Sequence, residues 1–152
     1  SHKRMPEIRH SLYRFEIPQS EIMGVSVKVY IGGANQGKLG LACIQNHKRV
    51  EEACICENCG REDIFSAKLI YGLHHYIRRF VFSEEEKDIL IERLRAENTQ
   101  SIIICDEVGC GVVPIDKRER EYRELTGRIM TELAKTADEV IRVFCGIGGR
   151  IK

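Results

Sequence analysis

Short apolar runs alternate with longer amphipathic segments along most of this 152-residue chain. Short apolar runs predict strands at residues 25–31, 52–56, 101–105 and 139–145. Apolar residues at helical spacing predict helices at residues 37–47, 62–80 and 117–136, with another helix beginning after Ser83. This alternation indicates an α/β fold, a three-layer sandwich with a mainly parallel sheet.

Two details refine the helices. Ser83 followed by Glu84, Glu85 and Glu86 forms a capping-box pattern, which marks a helix start. Gly127 lies inside the segment 117–136, where glycine costs about 1 kcal/mol relative to alanine. We therefore expect close packing or a close ligand approach at Gly127.

Residues 1–24 differ from the rest, because arginines and Pro18 interrupt a weakly apolar stretch without a clear period. We interpret Ser1 and His2 as a tag remnant and residues 1–24 as an extension. Residues 12–17 are a candidate edge strand. Residues 25–152 then form a single domain, a size that supports one hydrophobic core.

Composition narrows the functional classes. A net charge of +1, with 31% charged residues of both signs, provides no sustained basic field for nucleic acid. No apolar run approaches the roughly 18 residues that a membrane-spanning helix requires. The odd count of seven cysteines, most of them inside apolar runs, is typical of a reducing compartment. The sequence thus predicts a soluble cytoplasmic protein.

Three cysteines, Cys54, Cys56 and Cys59, lie close together in the chain. Three thiolates can bind zinc if Cys43 or His47 completes a tetrahedron. The other interpretation makes Cys54 and Cys56 core residues of a strand and Cys59 a loop thiol. The absence of a second ligand pair of the usual zinc-site type favours this second interpretation, and the sequence leaves both open.

The residues after the first predicted strand form the pattern G-x-x-x-x-G-K. They are Gly32, Gly33, Ala34, Asn35, Gln36, Gly37 and Lys38, followed by Leu39. Glycines let backbone N–H groups turn around phosphates, the following helix directs its positive N-terminus at them, and the lysine reaches the outer phosphates. The pattern predicts a P-loop that binds a nucleotide, GTP or ATP.

Leu39 stands where a P-loop usually has a hydroxyl residue that binds Mg²⁺. A carboxylate at the end of a strand would then have to hold the metal, and Glu57 and Asp106 are the candidate ligands. Glu107 follows Asp106 at the carboxyl end of the clearest predicted strand, the edge where open α/β sheets bind ligands. It is a candidate catalytic residue beside Lys38.

Motifs in the last third of the chain carry a family resemblance. They are Asp106-Glu107-Val108-Gly109-Cys110-Gly111-Val112-Val113-Pro114, Arg120-Glu121-Tyr122-Arg123-Glu124-Leu125-Thr126-Gly127-Arg128, Ala137-Asp138-Glu139-Val140, and the ending Gly146-Ile147 with Ile151-Lys152. Together with the P-loop, and in this order, they resemble adenosylcobinamide kinase/adenosylcobinamide-phosphate guanylyltransferases.

The resemblance implies a RecA-like P-loop fold, often a homotrimer, that acts in cobalamin biosynthesis. Such enzymes phosphorylate the aminopropanol hydroxyl of the corrinoid adenosylcobinamide with a nucleoside triphosphate. They then transfer GMP from GTP through a histidine adduct. By position, residues 32–38 would hold the triphosphate, and Glu107 would lie at the same sheet edge.

The departures from the family concern the second reaction. Leu39 replaces a serine, Asp106 replaces an asparagine, and only a short segment separates Lys38 from His47 where the family has a long one. His47 is the candidate for the guanylylated histidine, whereas His74 and His75 lie in a mostly apolar segment typical of structural histidines. The alternative function is a nucleotide-binding subunit or sensor of this fold that has lost catalysis.

Overall fold

The computed structural model describes residues 26–109 and 111–152. The predicted N-terminal extension, with its candidate edge strand at residues 12–17, lies outside these ranges. None of the helices in the described part combines the length and the hydropathy that crossing a bilayer requires.

Within the described residues, six strands form one sheet in the order β2-β3-β4-β1-β5-β6. Their bounds are β1 Ser26–Gly32, β2 Cys54–Ile55, β3 Leu69–Tyr71, β4 Gln100–Asp106, β5 Glu139–Phe144 and β6 Ile147–Arg150. Of the strand pairs in this part of the chain, the β5–β6 pair alone is antiparallel. The carboxyl ends of β1 to β5 therefore meet at one edge of the sheet.

In residues 26–109 and 111–152, four helices cover the sheet: α1 Lys38–Asn46, α2 Leu73–Phe80, α3 Glu84–Glu97 and α4 Lys117–Thr136. The Ser83 hydroxyl accepts a hydrogen bond from the Glu86 backbone N–H at 3.1 Å, so the predicted capping start of α3 is confirmed. The predicted bounds of α4 are confirmed as well.

Two cores form because both faces of the central strands are apolar. Ala42 and Cys43 of α1 pack against one face, on residues such as Tyr30 and Ile104. Helices α2, α3 and α4 pack against the other face, on residues such as Ile103. The predicted three-layer sandwich with a mainly parallel sheet is confirmed, and it leaves the carboxyl edge of the strands open.

The predicted helix at residues 62–80 is wrong over its first half. Asp63–Phe65 form a 3-10 turn, and Leu69–Tyr71 form strand β3. Gly72 then adopts a φ of 82°, a left-handed conformation that separates β3 from α2. A run of residues that is apolar on every side can form either a short buried strand or a covered helix, and hydrophobic periodicity cannot separate the two.

Three smaller predictions also need correction. The second strand is only Cys54–Ile55, since β2 lies at the sheet edge and pairs with β3 alone. Ile147–Arg150, which carried no predicted strand, form β6 against β5. Gly127 has no close neighbour within the described chain, since a Cβ there would meet nothing within 4 Å.

Candidate active site

The predicted P-loop connects β1 to α1 at the carboxyl edge of the sheet. A Cβ at Gly32 would overlap the carbonyl oxygen of Val143 in β5, so only glycine fits there. Gly37 has a φ of 84°, and a Cβ on it would lie 3.3 Å from the Cα of Gly146. The two glycines of the pattern are thus required by backbone contacts with the end of β5.

Gln36 connects the loop to the end of β5 through two hydrogen bonds. Its carbonyl oxygen accepts a hydrogen bond from the Gly146 N–H at 2.7 Å. Its side-chain Oε1 accepts another from the Cys145 N–H, also at 2.7 Å. The Gln36 side chain therefore holds the loop in place, whereas the sequence pattern alone had indicated only a loop position.

Lys38 is buried at the start of α1, with 5% of its surface exposed. Its Nζ donates to the Gly33 carbonyl oxygen at 2.6 Å and lies 2.6 Å from Oδ1 of Asp106 at the end of β4. β1 and β4 are neighbours in the sheet, which brings these two residues together. The lysine of the P-loop is thus neutralised by a carboxylate of the same chain.

His74, near the start of α2, holds the other side of Asp106. Its Nδ1 accepts a hydrogen bond from the Asp106 N–H at 3.2 Å, and its Nε2 lies 3.4 Å from Asp106 Oδ2. Burial lowers the pKa of His74 to about 4, and the positive charge of Lys38 adds to this effect although Asp106 opposes it. The imidazole is therefore neutral at pH 7, with its proton on Nε2 facing the carboxylate.

A cavity of about 460 Å³ opens beside this cluster. Its walls are residues 34–40 of the loop and α1, Ile55 and Glu57 after β2, the β3–α2 junction with Tyr71, Gly72, His74 and His75, and Asp106. The N-termini of α1 and α2 both adjoin the cavity, and their partial positive charges favour an anion. The predicted loop residues Ala34 to Leu39 thus share a pocket with Glu57 and Asp106.

The pocket contains two carboxylates that can accept a cation. Glu57 is exposed at its wall, while Asp106 lies beside Lys38. Within residues 26–109 and 111–152, no group of three His, Cys, Asp or Glu side chains could hold a metal ion by itself. Cys54, Cys56 and Cys59 likewise do not form a group that could hold a metal ion. A metal in the pocket would need ligand atoms from a bound substrate.

Glu107 and His47 do not line this pocket. The Glu107 carboxylate faces Arg142 of β5, with Oε1 3.3 Å from Nε. Its backbone N–H donates to the Gly32 carbonyl oxygen at 2.8 Å, so it supports the loop from behind. His47 caps the far end of α1, and the adjacent Asn46 side chain accepts a hydrogen bond from Lys28 Nζ near the start of β1. This placement does not support a catalytic role for His47.

The sequence analysis missed the pocket roles of His74, His75 and Tyr71. These residues lie where β3 ends and α2 begins, whereas the sequence had predicted one continuous helix at residues 62–80. Gly72 between a short apolar run and two histidines was the available indication, because glycine often marks a change of backbone direction.

Comparison with known proteins connects this geometry to a family. The family model described as "Cobinamide kinase / cobinamide phosphate guanyltransferase" matches residues 63–151, more than half of the chain. The match includes Asp106, Glu107 and α2 but begins after the P-loop.

Two curated relatives agree with this match. The bifunctional adenosylcobalamin biosynthesis protein CobU of Salmonella typhimurium (strain LT2) is 38% identical over 69 residues, which cover 45% of this chain and 38% of the relative. The protein of the same name from Escherichia coli (strain K12) is 41% identical over 51 residues, or 34% of this chain and 28% of the relative. This chain spans well under half the length of either relative. The chain belongs to the cobinamide kinase/cobinamide phosphate guanyltransferase family.

Proposed function

We propose that the pocket at the P-loop binds a nucleoside triphosphate, GTP or ATP, through its phosphates. Three features support this: the glycine-dependent loop, the buried Lys38, and the two helix N-termini beside the cavity. The phosphates would take the place of the Asp106 carboxylate at Lys38 Nζ. Gly32 to Leu39 are the proposed nucleotide-binding residues.

Mg²⁺ fits the chemistry of the same pocket. Nucleotide-bound Mg²⁺ usually takes one or two protein carboxylates together with phosphate oxygens, and Asp106 and Glu57 are two such carboxylates. When bound, the metal would neutralise charge that develops on the transferred phosphoryl group. Leu39 has no side-chain oxygen to offer the metal, and its side chain packs against the core under α1.

The proposed reaction is the transfer of the γ-phosphoryl group of the nucleotide to the hydroxyl group of adenosylcobinamide. Phosphoryl transfer depends mainly on positioning and charge neutralisation, which Lys38 and the helix N-termini provide. Ile55, Glu57 and Tyr71 line the same cavity as Lys38, and the proposal places the acceptor hydroxyl on their side of the phosphates. The observation that carries the proposal is the Lys38–Asp106 pair in an open pocket of a chain from this family.

Transfer of GMP through a histidine has less support. His47 lies at the far end of α1, and both ring nitrogens of His74 face Asp106. His75 lines the pocket and is half-buried, so it is the histidine within reach of a bound nucleotide. We therefore expect kinase activity to be the main reaction of this chain.

Self-association, the form that the family resemblance implies, is a second part of the proposal. Val112, Val113 and Ile115 follow β4 and expose 87%, 73% and 97% of their surfaces. Apolar side chains exposed together are typical of an interface. Light scattering of the purified protein would give the mass, and a monomer at all concentrations would contradict this part.

One assay tests the reaction. The protein is incubated with Mg²⁺, cobinamide, and GTP labelled at either the α- or the γ-phosphate. The proposal predicts γ-label in the corrinoid product and no stable α-label on the protein. Acid-labile protein-bound α-label that disappears in His75→Ala or His47→Ala would restore the guanylyltransferase activity.

The same assay can also contradict the proposal. GTP binding without transfer of either label would support the nucleotide-binding subunit and overturn the kinase proposal. Lys135→Ala, which changes an exposed lysine of α4, serves as the control and should leave transfer unchanged.

A further inference from the structure

A cluster of three thiols lies at the end of β2, next to the nucleotide pocket. The side chains of Cys54 and Cys59 pack against the core cluster that contains Cys56, and burial, with a contribution from the neighbouring Cys59 thiol, raises the pKa of both Cys54 and Cys56. Cys56 is completely buried, whereas Cys54 and Cys59 are half-buried. All three are free cysteines. Neither nucleotide binding nor phosphoryl transfer gives this cluster a role.

Cys56 and Cys59 share one backbone turn. The Ile55 carbonyl oxygen accepts hydrogen bonds from the N–H groups of Asn58 at 3.2 Å and Cys59 at 2.9 Å. Residues three apart on such a turn have side chains on the same side, with Cβ atoms roughly 5–6 Å apart. A disulfide needs Cβ atoms about 3.5–4.5 Å apart, so the turn has to tighten by about 1 Å for the bond to close. Cys54, in contrast, is held in the ladder of β2 opposite Ile70.

We propose that Cys56 and Cys59 form a reversible disulfide by exchange with a small-molecule disulfide of the glutathione type. The C-x-x-C spacing, the shared turn and the packing of Cys59 against the core cluster that contains Cys56 carry this inference. Ile55 and Glu57, which flank Cys56, line the nucleotide pocket, so the new bond would form beside it.

The exchange takes place in two steps. The Cys59 thiolate attacks one sulfur of the small-molecule disulfide, forms a mixed disulfide and releases one small thiol. Cys56 then loses its proton to solvent and attacks the Cys59 sulfur, which releases the second small thiol. The two protein thiols lose two electrons in total, and the small disulfide gains them.

The environment of the thiols assigns these roles. Burial, with a smaller contribution from Cys59, raises the pKa of Cys54 to about 12, and burial together with both neighbouring thiols raises the pKa of Cys56 further. Neither is a good first nucleophile at pH 7, which leaves the half-buried Cys59 to react first. Because Cys56 must deprotonate to close the bond, closure should accelerate as pH rises.

The test uses the full chain and oxidised glutathione as the probe. After equilibration, acid stops the exchange, the protein is unfolded and its free thiols are alkylated with a maleimide near neutral pH, and the peptide with all three cysteines is fragmented in a mass spectrometer. We expect Cys56 and Cys59 both to remain unalkylated. Both should become alkylated if the protein is first reduced with dithiothreitol. Cys54→Ser should keep the pair, and Cys59→Ser should leave Cys56 alkylated. Cys43→Ser, which changes a buried cysteine on the opposite face of the sheet, is the control.

Three results would overturn the proposal. One is full alkylation of Cys56 and Cys59 after equilibration. A second is a bond that includes Cys54 in the unmodified chain, or loss of the bond in Cys54→Ser. A third is zinc retained by the purified protein that protects the thiols from glutathione. The unmodified chain and Cys54→Ser decide the question even if Cys59→Ser fails to fold.

Discussion

Asp106→Asn tests the ion pair at the centre of the pocket. Asp106 Oδ1 lies 2.6 Å from Nζ of the buried Lys38, whose other partner is the Gly33 carbonyl oxygen. A hydrogen bond to a charged group contributes about 1.5–3 kcal/mol, and asparagine keeps the shape of the side chain. We expect the nucleotide-free variant to lose about 2 kcal/mol of unfolding free energy. For a chain of this size that corresponds to a fall in Tm of about 4–8 °C.

The same substitution should strengthen metal-free nucleotide binding. In the unmodified chain the phosphates must displace the Asp106 carboxylate from Lys38, whereas in the variant they need not. If the whole of about 2 kcal/mol is returned on binding, GTP affinity in EDTA rises up to about 30-fold. With Mg²⁺ this gain should shrink or reverse, since Asp106 is a proposed ligand of the metal.

Thermal unfolding and calorimetric titration with GTP, each with EDTA and with Mg²⁺, measure both effects. Asp88→Asn is a matched control, since Asp88 pairs with Lys87 at 2.9 Å but is 71% exposed. An exposed pair of this kind contributes about 0–1 kcal/mol. An unchanged Tm for Asp106→Asn, together with weaker GTP binding in EDTA, would refute the competition between Asp106 and phosphate.

Two further predictions concern His74 and the loop glycines. The folded protein lowers the pKa of His74 from the usual 6.5 to about 4, chiefly because the imidazole is buried. Between about pH 6.5 and pH 4, His74 is therefore protonated in the unfolded chain but neutral in the folded protein. Stability should therefore fall as pH drops from about 6.5 to about 4, and His74→Gln should flatten this part of the profile in urea unfolding; an equal slope in both proteins would contradict it. Gly32→Ala should abolish GTP binding and lower Tm because of its overlap with Val143, while Gly127→Ala, in open space on α4 and outside the pocket, should keep binding and gain up to about 1 kcal/mol of unfolding free energy. Equal behaviour of these two variants in thermal unfolding would show that the contact with β5 does not matter.

The sequence predicted the central strands, because β4 is a continuous apolar run and β1 and β5 are rich in β-branched residues, which local pattern identifies well. It also predicted α4 and the start of α3, where capping and periodicity agree. The edge strands were harder. β2 and β3 are two and three residues long, and they are strands because of pairing with distant residues rather than because of local preference.

In the candidate site, likewise, the features with a local sequence pattern were predicted, whereas the contacts that depend on strand pairing were not. The P-loop was visible because it is a contiguous pattern, and Asp106 was visible because it ends a clear strand. The Asp106–His74 contact depends on β3 pairing with β4, which no local pattern encodes. Arg142 opposite Glu107 likewise depends on β5 lying next to β1, so the sequence placed Glu107 at the correct edge without its partner.

GTP binding by Lys38→Ala is the most direct test of the nucleotide site. Lys38 is the buried cation at the loop, so its removal should weaken binding of labelled GTP, measured by equilibrium dialysis with Mg²⁺, by about 30-fold or more. The account predicts that the control Lys135→Ala binds as the unmodified chain does. Equal GTP affinity of Lys38→Ala and the unmodified chain would contradict the assignment of this pocket as the nucleotide site.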